Sequence, residues 1–226
     1  NALPEALNML EKIISDNTVI MSLLNGIDSE EIIESKFGKG RCVYAFITKT
    51  DSTRVGRNVD FVADGKIYFG EKDGTVTQRT QDIASLFDSV NMDYTLSKNI
   101  ITRQWKKFMV NIGMNQVSAV LGATYGDFLK SKEILKLIHD AMAEAVNVAR
   151  AQGLDLSKSD IESSIKFIDS LSAPGKTSML QDVEAKRKTE VDMLAKPLIE
   201  LGKKYNIPTP INEVLYLQIK ALESLY

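Results

Sequence analysis

From Asn99 to the last residue the chain carries one signal almost without interruption, apolar side chains recurring at the period of an amphipathic helix. That run constrains the fold most, because helices that each bury one stripe must pack on one another. Five helical segments follow from it: Trp105–Leu121, Lys132–Gln152, Ser159–Leu171, Ser178–Tyr205 and Asn212–Tyr226. Gly153 and Pro174-Gly175 mark breaks, and Pro197 predicts a kink.

The residues before about 98 read differently. Leu7, Leu10, Ile13 and Ile14 form a short helical stripe, and Thr18–Leu24 is a continuous apolar run closed by Asn25-Gly26. Such a run without alternation predicts a buried parallel strand. Ser29–Glu34 reads as a helix capped by Asp28, Cys42–Thr48 as a second strand and Gln81–Phe87 as a helix. Asp64-Gly65, between Asn58–Ala63 and Lys66–Gly70, is a two-residue hairpin signal. The expected fold is therefore α/β plus all-α: the later part of a Rossmann-type open sheet over residues 1–98, then a helical domain over 99–226.

Composition narrows the function. Net charge is -2, which calls for neither nucleic acid nor an anionic membrane as partner. Cys42 is the one cysteine, so no internal disulfide forms, and a reducing, cytoplasmic setting fits. With His139 as the one histidine, no metal site is expected. His139 reads as a boundary residue of a helix core and Cys42 as inert packing. No apolar run approaches the ~18 residues that a membrane span needs. The sequence contains no G-x-G-x-x-G, Walker loop, G-x-S-x-G or H-E-x-x-H. It opens Asn1-Ala2-Leu3-Pro4, where Asn1-Ala2 reads as a vector scar and the abrupt helical start as that of a fragment.

Three places carry polar residues where chemistry is conceivable. Lys107, Asn111, Asn115 and Ser118 fall on one face of the Trp105–Leu121 helix, among apolar flanks. Asparagine is a poor mid-helix residue, so the stripe reads either as groups kept for a buried cleft or as a structural hydrogen-bond network or solvent face. Ser178, three residues before Gln181, has the spacing of a capping box; its hydroxyl either caps the helix or meets a carboxylate. Asp182 and Glu190 read by pattern as exposed helical charges. Asn25, directly after the apolar run, lies where open α/β sheets bind ligands, although Asn-Gly is also an ordinary turn.

Taken together these elements resemble the ketopantoate reductase (2-dehydropantoate 2-reductase) family over nearly the whole chain. The resemblance rests on Asn25-Gly26 after an apolar strand, and on Trp105-x-Lys107-Phe108-x-x-Asn111-x-x-x-Asn115. It rests further on Ser178-Met179-x-Gln181-Asp182 followed by Arg187-x-Thr189-Glu190-Val191-Asp192, and on Asn206-Ile207-x-x-Pro210-x-Asn212. Each motif is weak alone; four in order are strong. The resemblance implies hydride transfer from NADPH to the keto carbon of 2-dehydropantoate in pantothenate biosynthesis. It makes Lys107 the catalytic lysine; Asn25, Asn111, Asn115, Ser178 and Asp182 substrate-binding positions; and Asn25 and Glu190 cofactor-contacting ones. Hydride addition builds negative charge on the carbonyl oxygen, and a protonated lysine stabilises it and donates the proton. Lys107 shares a face with Asn111, which favours it over Lys106.

The chain departs from the family pattern at Lys186 and near Lys196-Pro197, where glycines are usual, and near Tyr125, where some members carry a substrate-contacting Asn. Lacking the glycine-rich turn, the chain is expected to bind NADP(H) weakly or not at all and not to turn over alone. Two alternatives stand beside this reading: a related reductase of another 2-keto acid or imine, and a non-catalytic helical dimerisation or interaction module. The long apolar helices are compatible with a homodimer.

Overall fold

The computed structural model describes residues 3–55 and 57–226; the side chains of 50–55, 59, 60 and 62–64 fall outside the description. Asn1-Ala2, read as a vector scar, also lies outside it. The chain forms two compact units, one reaching Gln104 and the other Trp105–Tyr226. The division falls inside a helix, a few residues beyond the change of sequence texture.

The first unit runs α1 (Leu3–Leu10), β1 (Ile20–Met21), α2 (Ser29–Phe37), β2 (Cys42–Val55), β3 (Asn58–Gly70), α3 (Gln78–Ser89), β4 (Tyr94–Leu96) and the start of α4 (Ile100–Leu121). The sheet is four-stranded in the order β1-β2-β3-β4. β1 and β2 are parallel, β2 and β3 antiparallel, and β3 and β4 parallel. Apolar side chains leave β2 on both faces, as a doubly covered strand requires. Val43 and Ala45 pack with Ile67, Phe69, Ile83 and Phe87, while Tyr44 and Phe46 pack with Ile100. Cys42 joins Leu3, Leu7 and Ile33.

Three expectations need correction here. The Thr18–Leu24 run forms a strand only at Ile20–Met21, and Leu23 and Leu24 are exposed. Its register is short because β2 pairs with it only at Cys42 and Val43. Asp28 stands at the N-cap of α2 but makes no side-chain capping bond. The chain does not reverse at Asp64-Gly65. Residues 58–70 are one strand paired with β2 from Tyr44↔Gly70 to Val55↔Asn58. The local turn preference survives only as a bend: Gly65 has φ 80° and Lys49 has φ 57°. Continuous pairing with β2 overrides the local signal.

The second unit is helical: the rest of α4, then α5 (Tyr125–Lys130), α6 (Lys132–Ala151), α7 (Lys158–Ile168), α8 (Ser178–Glu184), α9 (Val191–Tyr205) and α10 (Pro210–Glu223). α6 packs against α7, α9 and α10, and α10 against α9. Gly113 lets α4 lie close to α6, since a Cβ there would stand 2.6 Å from Met142 Cγ. The 178–205 segment is two helices, not one kinked helix. Its break is at Lys186, left-handed at φ 52°, whereas Pro197 lies inside an unbroken α9.

The Pro210–Asn212 element gains a structural reason. Pro210 opens α10, and the Glu144 carboxylate of α6 accepts from the backbone N–H groups of Ile211 (2.9 Å) and Asn212 (3.0 Å). One buried side chain on another helix thus satisfies two of the orphan donors of α10. The Asn212 amide adds a bond to Glu144 (2.7 Å) and one to the Ala141 carbonyl (3.2 Å). No helix among the described residues is long and apolar enough to cross a membrane.

Candidate active site

Helix α4 carries Trp105, Phe108, Met109 and Ile112 as buried core residues, which fixes its rotation and so the direction of the polar stripe. The stripe divides along its length. Lys107 and Asn111 are half-buried and Asn115 is buried. Ser118 is fully buried and donates to the Ala123 carbonyl at 2.7 Å, closing the end of α4. The cleft reading therefore fails for Ser118, whose hydroxyl is spent on the turn after its own helix. Gln116, two residues before Ser118, is likewise structural: its amide donates to Asn212 Oδ1 (2.8 Å) and the Ile112 carbonyl (2.9 Å).

Burial pushes the Lys107 ammonium below its ordinary range, and the Glu190 carboxylate acts on it in the opposite sense. Glu190 occupies the N-cap of α9. The Ser178 hydroxyl, at the first position of α8, donates to Glu190 Oε1 at 3.3 Å. Ser178 thus contacts the Glu190 carboxylate, and the charge of that carboxylate reaches Lys107 on α4. Ser178 is not the cap of its helix: Thr177 is, accepting from the Leu180 N–H at 3.2 Å. The hydroxyl of Ser178 is released for other contacts for that reason. Asp182 is held by Arg187, Nε to Oδ1 at 2.9 Å. Asn25 is half-buried after β1, in the first unit. Of the site residues read from sequence, the second unit brings Ser178 and Glu190 into contact, with Lys107 under the influence of the Glu190 charge.

Sequence reasoning missed what supports Glu190. Thr189 donates to Glu223 Oε1 through both its N–H (2.8 Å) and its hydroxyl (2.7 Å). Lys220 bridges Glu223 (2.7 Å) and Asp192 (3.0 Å), and the Tyr216 hydroxyl donates to Asp192 (2.9 Å). A Lys-x-x-Glu pair one turn apart on the last helix was the available signal. Among the described residues, no group of three or more His, Cys, Asp or Glu side chains is arranged to hold a metal ion.

The family model described as "Ketopantoate reductase PanE/ApbA C terminal" matches residues 99–223, and the one described as "Ketopantoate reductase PanE/ApbA" matches 2–74. The chain belongs to the ketopantoate reductase PanE/ApbA family. A 2-dehydropantoate 2-reductase of Streptococcus pyogenes serotype M3 is 25% identical over 224 residues, 99% of this chain and 73% of the relative. Among solved structures, the 2-dehydropantoate 2-reductase of Methylococcus capsulatus superposes with a TM-score of 0.86 at 26% identity, covering 97% of this chain and 70% of that one. D-mandelate dehydrogenase in a ternary structure with NADH and anilino(oxo)acetate reaches a TM-score of 0.91 at 22% identity, covering 99% and 74%, a likeness of fold. The ketopantoate reductase fold and its helical C-terminal domain are those of this chain.

Proposed function

We propose that this chain serves a nicotinamide-dependent reduction of 2-dehydropantoate to pantoate, with Lys107 as the general acid. In this reading 1–98 belongs to the nucleotide-binding domain and 99–226 is the substrate domain, in a cytoplasmic enzyme of pantothenate biosynthesis. The observation that carries it is the half-buried Lys107 under the influence of Glu190, which also accepts from Ser178.

The residues present do not fit the phosphates of a dinucleotide. The strand–turn–helix from Ile20 to Phe37 has one glycine, Gly26, and Asp28, Glu30 and Glu31 at the start of α2 oppose phosphate charge. A bound nicotinamide dinucleotide would supply the hydride. The part played by this chain is at the carbonyl oxygen. Charge gathers there as the ketone is reduced; the Lys107 ammonium stabilises it, gives up one N–H proton and leaves an alcohol and a neutral amine. Burial serves this step by bringing the lysine nearer the working pH, and Glu190 opposes premature loss of the proton. Asn111, Asn115 and Ser178 offer neutral donors for the substrate carboxylate and hydroxyl. Asn25 and Glu190 are the cofactor-side contacts in this reading, and Asp182 takes part through Arg187.

Tyr125 favours a second reading, a 2-keto acid with a less polar side chain. Its ring lies against Gly175, where an added Cβ would meet Cδ2 at 2.8 Å, on the turn that leads to Ser178. The fold likeness to D-mandelate dehydrogenase supports the same direction. NADPH oxidation by the complete protein, compared between 2-dehydropantoate and an aryl 2-keto acid, separates the two. The first reading predicts kcat/KM at least ~100-fold higher for 2-dehydropantoate, on the order of one or two lost polar contacts. A preference for the aryl acid overturns it.

A further inference from the structure

Glu190 lies in the connector between α8 and α9, the segment 185–190, which has no regular structure of its own to hold it. What holds it comes from the far end of the chain. Thr189, buried beside Glu190, gives both its backbone N–H (2.8 Å) and its hydroxyl (2.7 Å) to one oxygen of Glu223. The same hydroxyl accepts from the Val191 N–H at 3.2 Å, so Thr189 ties together the residues on both sides of Glu190. The other Glu223 oxygen is taken by Lys220 at 2.7 Å, and Lys220 continues to Asp192 at 3.0 Å, two residues beyond Glu190. Tyr216 closes the ring on Asp192, and the Tyr226 hydroxyl donates to the Arg187 carbonyl at 3.0 Å. Residues 187, 189 and 192 are thus each anchored on α10 or the residues after it, while Glu190 Oε1 accepts from Ser178 and its charge acts on Lys107.

We propose that Glu223 is a positioning residue for the candidate active site: through Thr189 it fixes the connector so that the Glu190 carboxylate stays facing Lys107 and Ser178. The proposal rests on the reading of Lys107 and Glu190 given above. Glu223 touches neither lysine nor substrate position; it acts through two hydrogen bonds and the backbone between them. Charged and titratable groups around it are Lys220, Asp192, Tyr216 and Tyr226, and the carboxylate acting on Lys107 is Glu190. A hydrogen-bonded clamp of this kind sets geometry within the fraction of an ångström that electrostatics at a site requires.

The test is the titration of Lys107 in this chain, followed by NMR of labelled lysine side chains and assigned with Lys107→Arg. Glu190→Gln is expected to lower the Lys107 midpoint, since an opposite charge is lost. Glu223→Ala is expected to lower it in the same direction, and Glu223→Gln, which keeps an acceptor for Thr189, to restore most of it. A fall with Glu190→Gln but none with Glu223→Ala overturns the positioning role and leaves the pairing of Lys107 with Glu190 intact. No fall with Glu190→Gln overturns both. A fall with Glu223→Gln equal to that with Glu223→Ala overturns it in favour of bare charge. Should Glu223→Ala not fold, Thr189→Val removes the hydroxyl contact alone, and an unchanged Lys107 in that variant overturns the proposal.

Discussion

Two glutamates, one in each unit, both lose water on folding, Glu30 almost wholly and Glu223 in part, and behave in opposite ways. Glu30 in the first unit is 1% exposed, and burial drives its carboxyl above the ordinary range despite backbone hydrogen bonds and the Gln104 amide at 3.3 Å. Glu223 in the second also loses water, yet the Lys220 ammonium and Thr189 outweigh burial and hold it below that range. The difference is a cation at hydrogen-bond distance, together with the shallower burial of Glu223. Among the described residues, no ion pair involves Glu30, and its other neighbours include Cys42, whose thiol burial pushes up to about 12. Desolvation without a cation moves a carboxyl up; a cation at hydrogen-bond distance moves it down. The first is packing, and the second is a strut.

The two signs give opposite pH dependences. A lowered folded pKa means stability present above the unfolded value and lost as pH falls through the folded one, which is the case of Glu223. A raised folded pKa means that the native state keeps a proton the unfolded chain gives up. Stability contributed around Glu30 therefore declines as pH climbs past the ordinary carboxylate range and is flat above the folded value.

The larger effect is expected at Glu223. Glu223→Ala should cost about 1–2 kcal/mol at pH 7, because it leaves Thr189 without its acceptor and takes from Lys220 one of its two carboxylate partners. Urea unfolding followed by Trp105 fluorescence reports on that unit; a loss under about 0.5 kcal/mol would erase the distinction between strut and packing. The smaller effect is at Glu30. Glu30→Gln should stabilise the first unit by up to about 1 kcal/mol above pH 7 and by nothing well below the ordinary carboxylate range, where the carboxyl is protonated in folded and unfolded chain alike. Amide exchange of β2 and β3 measures it, and a destabilisation at high pH would mean that Glu30 is charged after all.

The same contrast explains which parts of the molecule the sequence disclosed. Helix α6 was legible because Ile138, Met142, Ala145 and Val146 form an uninterrupted core face. Strand β2 was legible from residues that fit a doubly covered strand. The turn after β2 was not, since Asp64-Gly65 is a good local turn inside a longer ladder. Nor was the break at Lys186, which no glycine or proline announces. Site residues followed the same rule. The direction of Lys107 came from helix periodicity, and its family motif named Ser178 and Glu190. The support of Glu190 from Thr189 and Glu223 joins residues 34 positions apart, and no local pattern encodes that distance. Ser118 shows the converse, a correct face with a structural purpose.

The central claim is that Lys107 supplies the proton. Its most direct test is the steady-state reduction of 2-dehydropantoate by the complete protein and by its Lys107→Ala variant. The account predicts that kcat falls at least ~100-fold with a much smaller change in KM, the mark of an interaction made in the transition state. A folded variant that keeps kcat within tenfold of the parent would contradict it.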